Sequence, residues 1–137
     1  MLLTHASTAQ QHGLKPLAEI KATAVHSHDS KWFTTAPVWA IEKVLTQCGW
    51  GIDDVGLFEI NEAFAVVTMA AMHDLKLDHN KVNVHGGACA LGHPLGASGA
   101  RIVTILMHEL QRHGKKSGVA ALCIGGGEAT AIVIELL

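Results

Sequence analysis

Three side chains capable of acyl chemistry follow or interrupt apolar stretches of this sequence. Asn61 comes directly after the apolar run 55–60, Cys123 lies near the end of the run 119–124, and His93 lies in a glycine-rich stretch between the two. An open α/β sheet binds its ligands beyond the carboxyl ends of its strands, so we expect these side chains at one crevice. A carboxamide, an imidazole and a thiol together suit acyl chemistry that passes through oxyanions.

The stretch around His93 is dense in glycine. Residues 86–99 read GGACALGHPLGASG, and glycines let the backbone approach a partner closely while leaving N–H groups free for an anion or a developing oxyanion. The alternative is a set of turns that carries an exposed imidazole, since the chain has ten histidines.

Asn61 and Cys123 also have purely structural alternatives. Asparagine at a strand-to-helix junction is a common helix N-cap, because its side chain accepts hydrogen bonds from free backbone N–H groups. Cysteine is among the most often buried residue types and can be inert. Against that alternative, the three glycines 125–127 lie just beyond Cys123, and their N–H groups can point into a site.

Alternating strand and helix patterns must position these residues. Residues 1–13 predict the stub of a strand and a short helix that stops at Gly13, and the apolar spacing from Leu14 to Ala24 favours a strand. A helix follows, with a cap at Thr34 or Thr35, Pro37 in its first turn and Gly49 at its end. The later elements are strand 55–60, a mostly buried helix 63–72, a short strand 81–85, loop 86–99, helix 100–113 and strands 119–124 and 129–136.

The predicted order is therefore β-α-β-α-β-α-β-β, an α/β fold. Such alternation requires crossover connections, which predict a mostly parallel five-stranded sheet with helices on its faces. The last two strands are separated only by Gly125–Glu128, which predicts one antiparallel hairpin strand.

Composition excludes several classes of function. Of the 137 residues, 49% are apolar and 16% charged, and the formal charge of -2 provides no field to hold a nucleic acid or an anionic membrane. No apolar stretch approaches the length of about 18 residues that a membrane span needs. The three cysteines, Cys48, Cys89 and Cys123, have no CxxC spacing, so we expect no disulfide framework, no metal site and a reducing cytoplasmic location.

The motifs resemble a known family. Asn61–Ala65, Gly86–Gly99 and Cys123–Gly127 are similar, in order and approximate spacing, to three signature blocks of the thiolases, which use coenzyme A thioesters to make or cleave carbon-carbon bonds. The resemblance covers essentially the whole chain. It implies that residues 1–13 are the end of an N-terminal thiolase domain and that residues 14–137 are the C-terminal domain.

The resemblance also implies roles for individual residues. Asn61 and His93 match the pair that holds a water molecule as one oxyanion hole, and the histidine also takes the proton of the nucleophilic cysteine. Cys123 matches the general acid and base that removes and returns the α-proton of the substrate. The N–H of Gly125 matches part of the second oxyanion hole. The substrates implied are acyl-coenzyme A thioesters, with no further cofactor.

One catalytic role has no candidate here. The acyl-accepting cysteine of the family belongs to an N-terminal block, and neither Cys48 nor Cys89 has that context. We therefore expect this chain to be inactive alone. It would pair with an N-terminal thiolase half or form a homo-oligomer; the alternative is a stand-alone, non-catalytic assembly module. The ketoacyl synthases are a related class of enzymes, but they use two histidines at the positions where this sequence has His93 and Cys123. The sequence therefore resembles the thiolases more than the ketoacyl synthases.

Overall fold

The computed structural model describes all 137 residues of the chain. They form a sheet of four strands with helices on both faces. The strands are β1 (Ala18–Ser27), β2 (Leu57–Ile60), β3 (Ser117–Ile124) and β4 (Glu128–Leu136). The helices are α1 (Ala6–Gln11), α2 (Ala36–Cys48), α3 (Ala65–Leu75), α4 (Ala88–Leu91) and α5 (Ser98–Arg112). The predicted α/β class is confirmed.

The sheet is mixed, with one parallel and two antiparallel strand pairs. The prediction that most pairs would be parallel is therefore wrong. The strand order is β1-β4-β3-β2, with β2 and β3 parallel and both pairs that involve β4 antiparallel. Strands β1, β2 and β3 do run in one direction. The hairpin strand β4 returns between β1 and β3 and makes two of the three pairings antiparallel. The carboxyl ends of β1, β2 and β3 consequently share one edge of the sheet.

The predicted fifth strand, Lys81–His85, is not present. A 3-10 turn covers His79–Lys81, and only one bridge, between Phe58 and Val82, extends the sheet beyond β2. At Asn83 the backbone turns to a left-handed φ of 47°, and its side-chain amide accepts from the Ile60 N–H and donates to the Ile60 carbonyl, both at 2.8 Å. A side chain therefore replaces the main-chain partner that a fifth strand would supply.

The two faces of the sheet carry separate cores. Helices α2 and α3 cover the face that bears Phe58 and Val119, whereas α5 covers the other face through Ile102, Leu106 and Leu110. Alternate residues of β2 and β3 point to opposite faces, as strand geometry requires. This arrangement fixes the start of α5, and the loop before it, beside the end of β2.

Two predicted helix features need correction. Thr35 precedes α2, but its hydroxyl donates to the Trp32 carbonyl at 2.9 Å and makes no cap. The apolar run of α3 predicts a mostly buried helix, yet Val66 and Met69 are 53% and 60% exposed, and Phe64 just before it is 59% exposed. Only one side of α3 packs on the sheet, so the opposite side presents apolar surface to solvent. Gly49 ends α2 in a left-handed conformation, as predicted.

The N-terminal segment packs beside the sheet without adding a strand. Residues 1–3 have no regular structure, and they help α1, β1, β4 and α5 to line an apolar cavity of about 380 Å³. Met1, Leu2 and Leu3 pair with no strand of the sheet, so the strand expected at the start of the chain does not form, and these side chains are each at least 65% exposed. No helix of the chain combines the length and the apolar character needed to cross a membrane.

Candidate functional site

Asn61 and His93 meet at the edge where β2 ends. Asn61 continues the β2 ladder, because its N–H donates to the Ala121 carbonyl at 2.9 Å. Its side-chain Nδ2 lies 3.4 Å from His93 Nε2, and its Oδ1 is buried without a partner. Helix α3 starts only at Ala65, with Phe64 as its N-cap, so the N-cap interpretation of Asn61 is wrong. Both nitrogens are placed to hold one polar atom of a ligand between them.

Ser98 fixes the orientation of the His93 ring. Its Oγ lies 2.6 Å from His93 Nδ1 and donates to the Pro94 carbonyl at 3.1 Å, and Ser98 is only 1% exposed. A hydroxyl has one proton to donate. When that proton bonds the Pro94 carbonyl, Nδ1–H of His93 must donate to Ser98, and Nε2 is left with a lone pair, which Asn61 Nδ2 approaches to 3.4 Å. This tautomer makes Nε2 a base that faces the site.

Glu62 ties the glycine-rich loop to β2. Its Oε2 accepts from the Cys89 N–H at 2.9 Å and its Oε1 accepts from Asn83 Nδ2 at 3.0 Å. A side chain on Gly87 would collide with the Glu62 carboxyl group, so only glycine permits this approach. Burial raises the pKa of Glu62, but the hydrogen bonds from Cys89 and Asn83 outweigh it and leave the pKa below its ordinary value. Glu62 is therefore held as a carboxylate.

Arg101 supports the same loop from α5. Its Nη1 donates to the Gly92 carbonyl, next to His93, while its Nε is buried without a partner. Glu59 on β2 is 3% exposed and also has an unpartnered oxygen, Oε1. Burial, and then repulsion from Glu109 and Glu62, raise the pKa of Glu59 to about 8, although Arg101 lowers it. At neutral pH Glu59 is therefore mostly uncharged.

Cys123 lies on the strand beside β2, two residues beyond the Ala121 carbonyl that pairs with Asn61. It is 8% exposed, and burial raises the pKa of its thiol above the ordinary value of 9.0. No hydrogen bond joins Cys123 to Asn61 or His93. The N–H of Gly125, two residues later, makes no backbone hydrogen bond and is free to donate to a ligand.

Gly127 closes the turn that holds Gly125. Its φ is 94°, a side chain there would collide with the His28 carbonyl oxygen, and its own carbonyl accepts from the His28 N–H at 3.0 Å. We expect Gly127→Ala to lower the free energy of unfolding by at least about 2 kcal/mol, because the backbone must both strain and move. Gly125→Ala is the matched control, since an added methyl group there would have no atom within 4 Å. Urea denaturation measures the free energy of unfolding of the two variants. Equal values would contradict the packing of Gly127 on His28.

The sequence interpretation did not assign Ser98, Glu62, Asn83 or Arg101. All four lie within or beside the recognised motifs, but their partners are set by the tertiary structure. The signals in the sequence were the hydroxyl five residues after His93 and an asparagine in the middle of the predicted strand 81–85. The chain has no cluster of three or more His, Cys, Asp or Glu side chains that could hold a metal ion together.

Comparison with known proteins identifies close similarities to this arrangement. The family model described as Thiolase, C-terminal domain matches residues 14–136. A protein of Dictyostelium discoideum named probable acetyl-CoA acetyltransferase is 53% identical over 137 residues, which are 100% of this chain and 33% of that protein. The mouse protein named cytosolic acetyl-CoA acetyltransferase is 46% identical over 135 residues, which are 98% of this chain and 34% of its own length.

A solved structure extends the similarity to the fold. The crystal structure of human mitochondrial 3-ketoacyl-CoA thiolase in complex with CoA matches with a TM-score of 0.94 and 43% identity, over 96% of this chain and 34% of that one. The chain thus spans about a third of the length of the relatives it matches.

Proposed function

The chain belongs to the thiolase family, and we propose that it supplies the C-terminal part of the catalytic site of an acyl-CoA C-acetyltransferase. Such an enzyme condenses acetyl-CoA with an acyl-enzyme or, in reverse, cleaves a 3-ketoacyl-CoA with coenzyme A. The observation that carries the proposal is the proximity of Asn61 Nδ2 and His93 Nε2, 3.4 Å apart, beside β3, whose second-last residue is the buried Cys123.

Asn61 and His93 are proposed to stabilise negative charge on a thioester oxygen. Removal of the α-proton turns the thioester carbonyl into an enolate, and donors aimed at that oxygen each contribute on the order of 10²–10³ in rate. Asn61 Nδ2 can donate in every protonation state of the site. His93 can donate from Nε2 when it carries a proton there, and it can accept a proton at Nε2 in the tautomer that Ser98 favours.

Cys123 is proposed to move the α-proton. Its raised pKa keeps the thiol protonated at neutral pH, which suits the step in which a proton returns to the carbanion. In the opposite step its thiolate is a correspondingly stronger base. The free N–H of Gly125 is proposed to contribute to the oxyanion hole of the acyl-transfer step.

Neither remaining cysteine suits the acyl-accepting role. Cys48 is half-buried and burial raises its pKa. Cys89 is exposed as a residue, but partial desolvation of its thiol and then the neighbouring Glu62 carboxylate raise its pKa. A thiolate is the nucleophilic form, so both environments oppose the reaction. We propose that the acyl-accepting cysteine comes from an N-terminal thiolase half, in the same polypeptide or in a separate chain.

A chimera tests the proposal directly. This chain would replace the last third of the 53% identical Dictyostelium relative, and thiolysis of acetoacetyl-CoA would be followed by loss of its absorbance. The unmodified relative serves as the positive control, and the 137-residue chain alone should neither turn over nor acquire an acetyl group from acetyl-CoA. A folded but inactive chimera would instead support the second candidate, a non-catalytic assembly module.

We also expect the isolated chain to form homodimers or larger oligomers. Phe64, Val66 and Met69 form an exposed apolar patch on and just before α3, and such patches favour association. Light scattering at increasing concentration measures the molar mass, with the double variant Val66→Lys and Met69→Lys as the comparison. A monomer at high concentration would contradict the expectation.

We propose a cytoplasmic location for the chain. One relative is named cytosolic, in agreement with this proposal, and another is named mitochondrial.

A further inference from the structure

Two histidines face each other at the carboxyl end of β1. His26 is the second-last residue of the strand, and His28 follows it by two positions. His26 Nε2 lies 3.4 Å from His28 Nδ1. That separation is long for an N–H hydrogen bond, whose usual length is about 2.9–3.0 Å.

The surroundings hold both rings in place. His28 Nε2 lies 2.8 Å from the Trp32 carbonyl oxygen, so it carries the proton and donates, and Nδ1 keeps its lone pair. The ring of Trp39 stacks on His26 with centroids 5.8 Å apart. Both backbones are fixed as well, because His26 pairs with Ala129 and the His28 N–H bonds the Gly127 carbonyl.

This geometry matches two ligands of one tetrahedral metal ion. Zinc–nitrogen bonds of about 2.0–2.1 Å at a tetrahedral angle place two ligand nitrogens about 3.4 Å apart. Histidine ligands usually donate their second ring N–H to a carbonyl or carboxylate, as His28 does. We propose that His26 Nε2 and His28 Nδ1 form a binding site for one divalent ion of the zinc, nickel and copper class, with water at the remaining positions.

The nearby charges are consistent with a site of moderate affinity. The Lys43 ammonium donates to the Val25 carbonyl at 2.9 Å and opposes a cation. Asp29 lies beside His28 but is paired with Lys31 at 3.0 Å. No third His, Cys, Asp or Glu side chain completes the site.

Binding of an ion here would also stabilise the turn that carries Gly125. His28 contacts Gly127 through both its N–H and its carbonyl oxygen, so an ion that immobilises His28 restrains residues 125–127. The proposal itself does not depend on the acetyltransferase function.

The test is a titration of the full 137-residue chain with zinc chloride at about pH 7.5, where neutral imidazole predominates. Calorimetry and the imidazole C–H signals in NMR spectra monitor the binding. We expect one ion per chain, with the signals of His26 and His28 shifting first. His26→Ala and His28→Gln should each weaken binding at least about tenfold. The glutamine retains a donor for the Trp32 carbonyl, which guards against loss of the fold.

Two further variants sharpen the outcome. His12→Ala removes an exposed histidine near α1 and should leave the affinity unchanged, whereas Lys43→Met removes the opposing charge and should tighten binding. Equal affinity in the parent, His26→Ala and His28→Gln proteins would overturn the proposal, as would earlier saturation of other histidines. Far-ultraviolet circular dichroism confirms that each variant is folded before it is titrated.

Discussion

Replacing Cys123 by serine is expected to reduce thiolysis by the Dictyostelium chimera about 10²–10⁴-fold, the usual contribution of a general acid or base. The hydroxyl has nearly the size of the thiol but is far less acidic, so it is a poor donor of the proton that thiolysis returns to the α-carbon. Because Cys123 is 8% exposed and lies in β3, serine should preserve the packing of the strand. The kcat of the chimera measures the effect.

The other two cysteines provide matched controls for this substitution. Cys48→Ser alters a half-buried thiol of α2, and Cys89→Ser alters an exposed one but leaves the backbone N–H that donates to Glu62 in place. Neither should change kcat by more than a few-fold. Exchange of the methyl protons of acetyl-CoA for deuterium isolates the proton-transfer step, and an unaltered exchange rate in Cys123→Ser would refute the assigned role.

Replacing Glu59 by glutamine should stabilise the chain at alkaline pH. Its pKa is raised from 4.5 to about 8 in the folded protein, so the unfolded state binds fewer protons than the folded state between these values. Stability therefore falls as pH rises through this window, by up to about 1.4 kcal/mol per pH unit, and changes no further above about pH 8. Below pH 4.5 both states are protonated and Glu59 imposes no penalty.

Glutamine has the same shape and never ionises. At about pH 8.5 we expect Glu59→Gln to raise the free energy of unfolding on the order of 2–4 kcal/mol, less than the full linkage value because the amide adds a donor to a buried site. At about pH 5 most of the ionisation penalty is gone and the cost of the buried amide remains, so the variant should be no more stable than the parent. Urea denaturation at both values measures it, with the exposed Glu42→Gln of α2 as control. An identical pH dependence in parent and Glu59→Gln would show that Glu59 ionises freely in the fold.

Local patterns were sufficient for most elements of the fold. The spacing of Val103, Leu106, Met107 and Leu110 predicted α5. Leu106 and Leu110 do lie in the core beneath it, whereas Val103 and Met107 are only partly buried against that core, which Ile102 completes. The apolar run 119–124 predicted β3. Such patterns are readable because one face of an element must be buried whatever it packs against.

Pairing within the sheet could not be read in this way. A strand pattern does not specify its neighbours, so the position of β4 between β1 and β3 became visible only in the structure. The run 81–85 has strand-like composition, yet Asn83 pairs through its side-chain amide instead. The choice between a backbone and a side-chain partner for β2 depends on contacts between residues 23 positions apart.

The α/β class, the thiolase resemblance and the three residues Asn61, His93 and Cys123 all follow from sequence alone, because motifs and apolar periodicity are properties of neighbouring residues. How these residues are held depends instead on the folded chain. The contact of Asn61 with His93 joins positions 32 residues apart, and the ring orientation depends on Ser98. Hydrogen bonds of this kind require a folded geometry, since their energy depends on distances and angles that residue types alone do not fix.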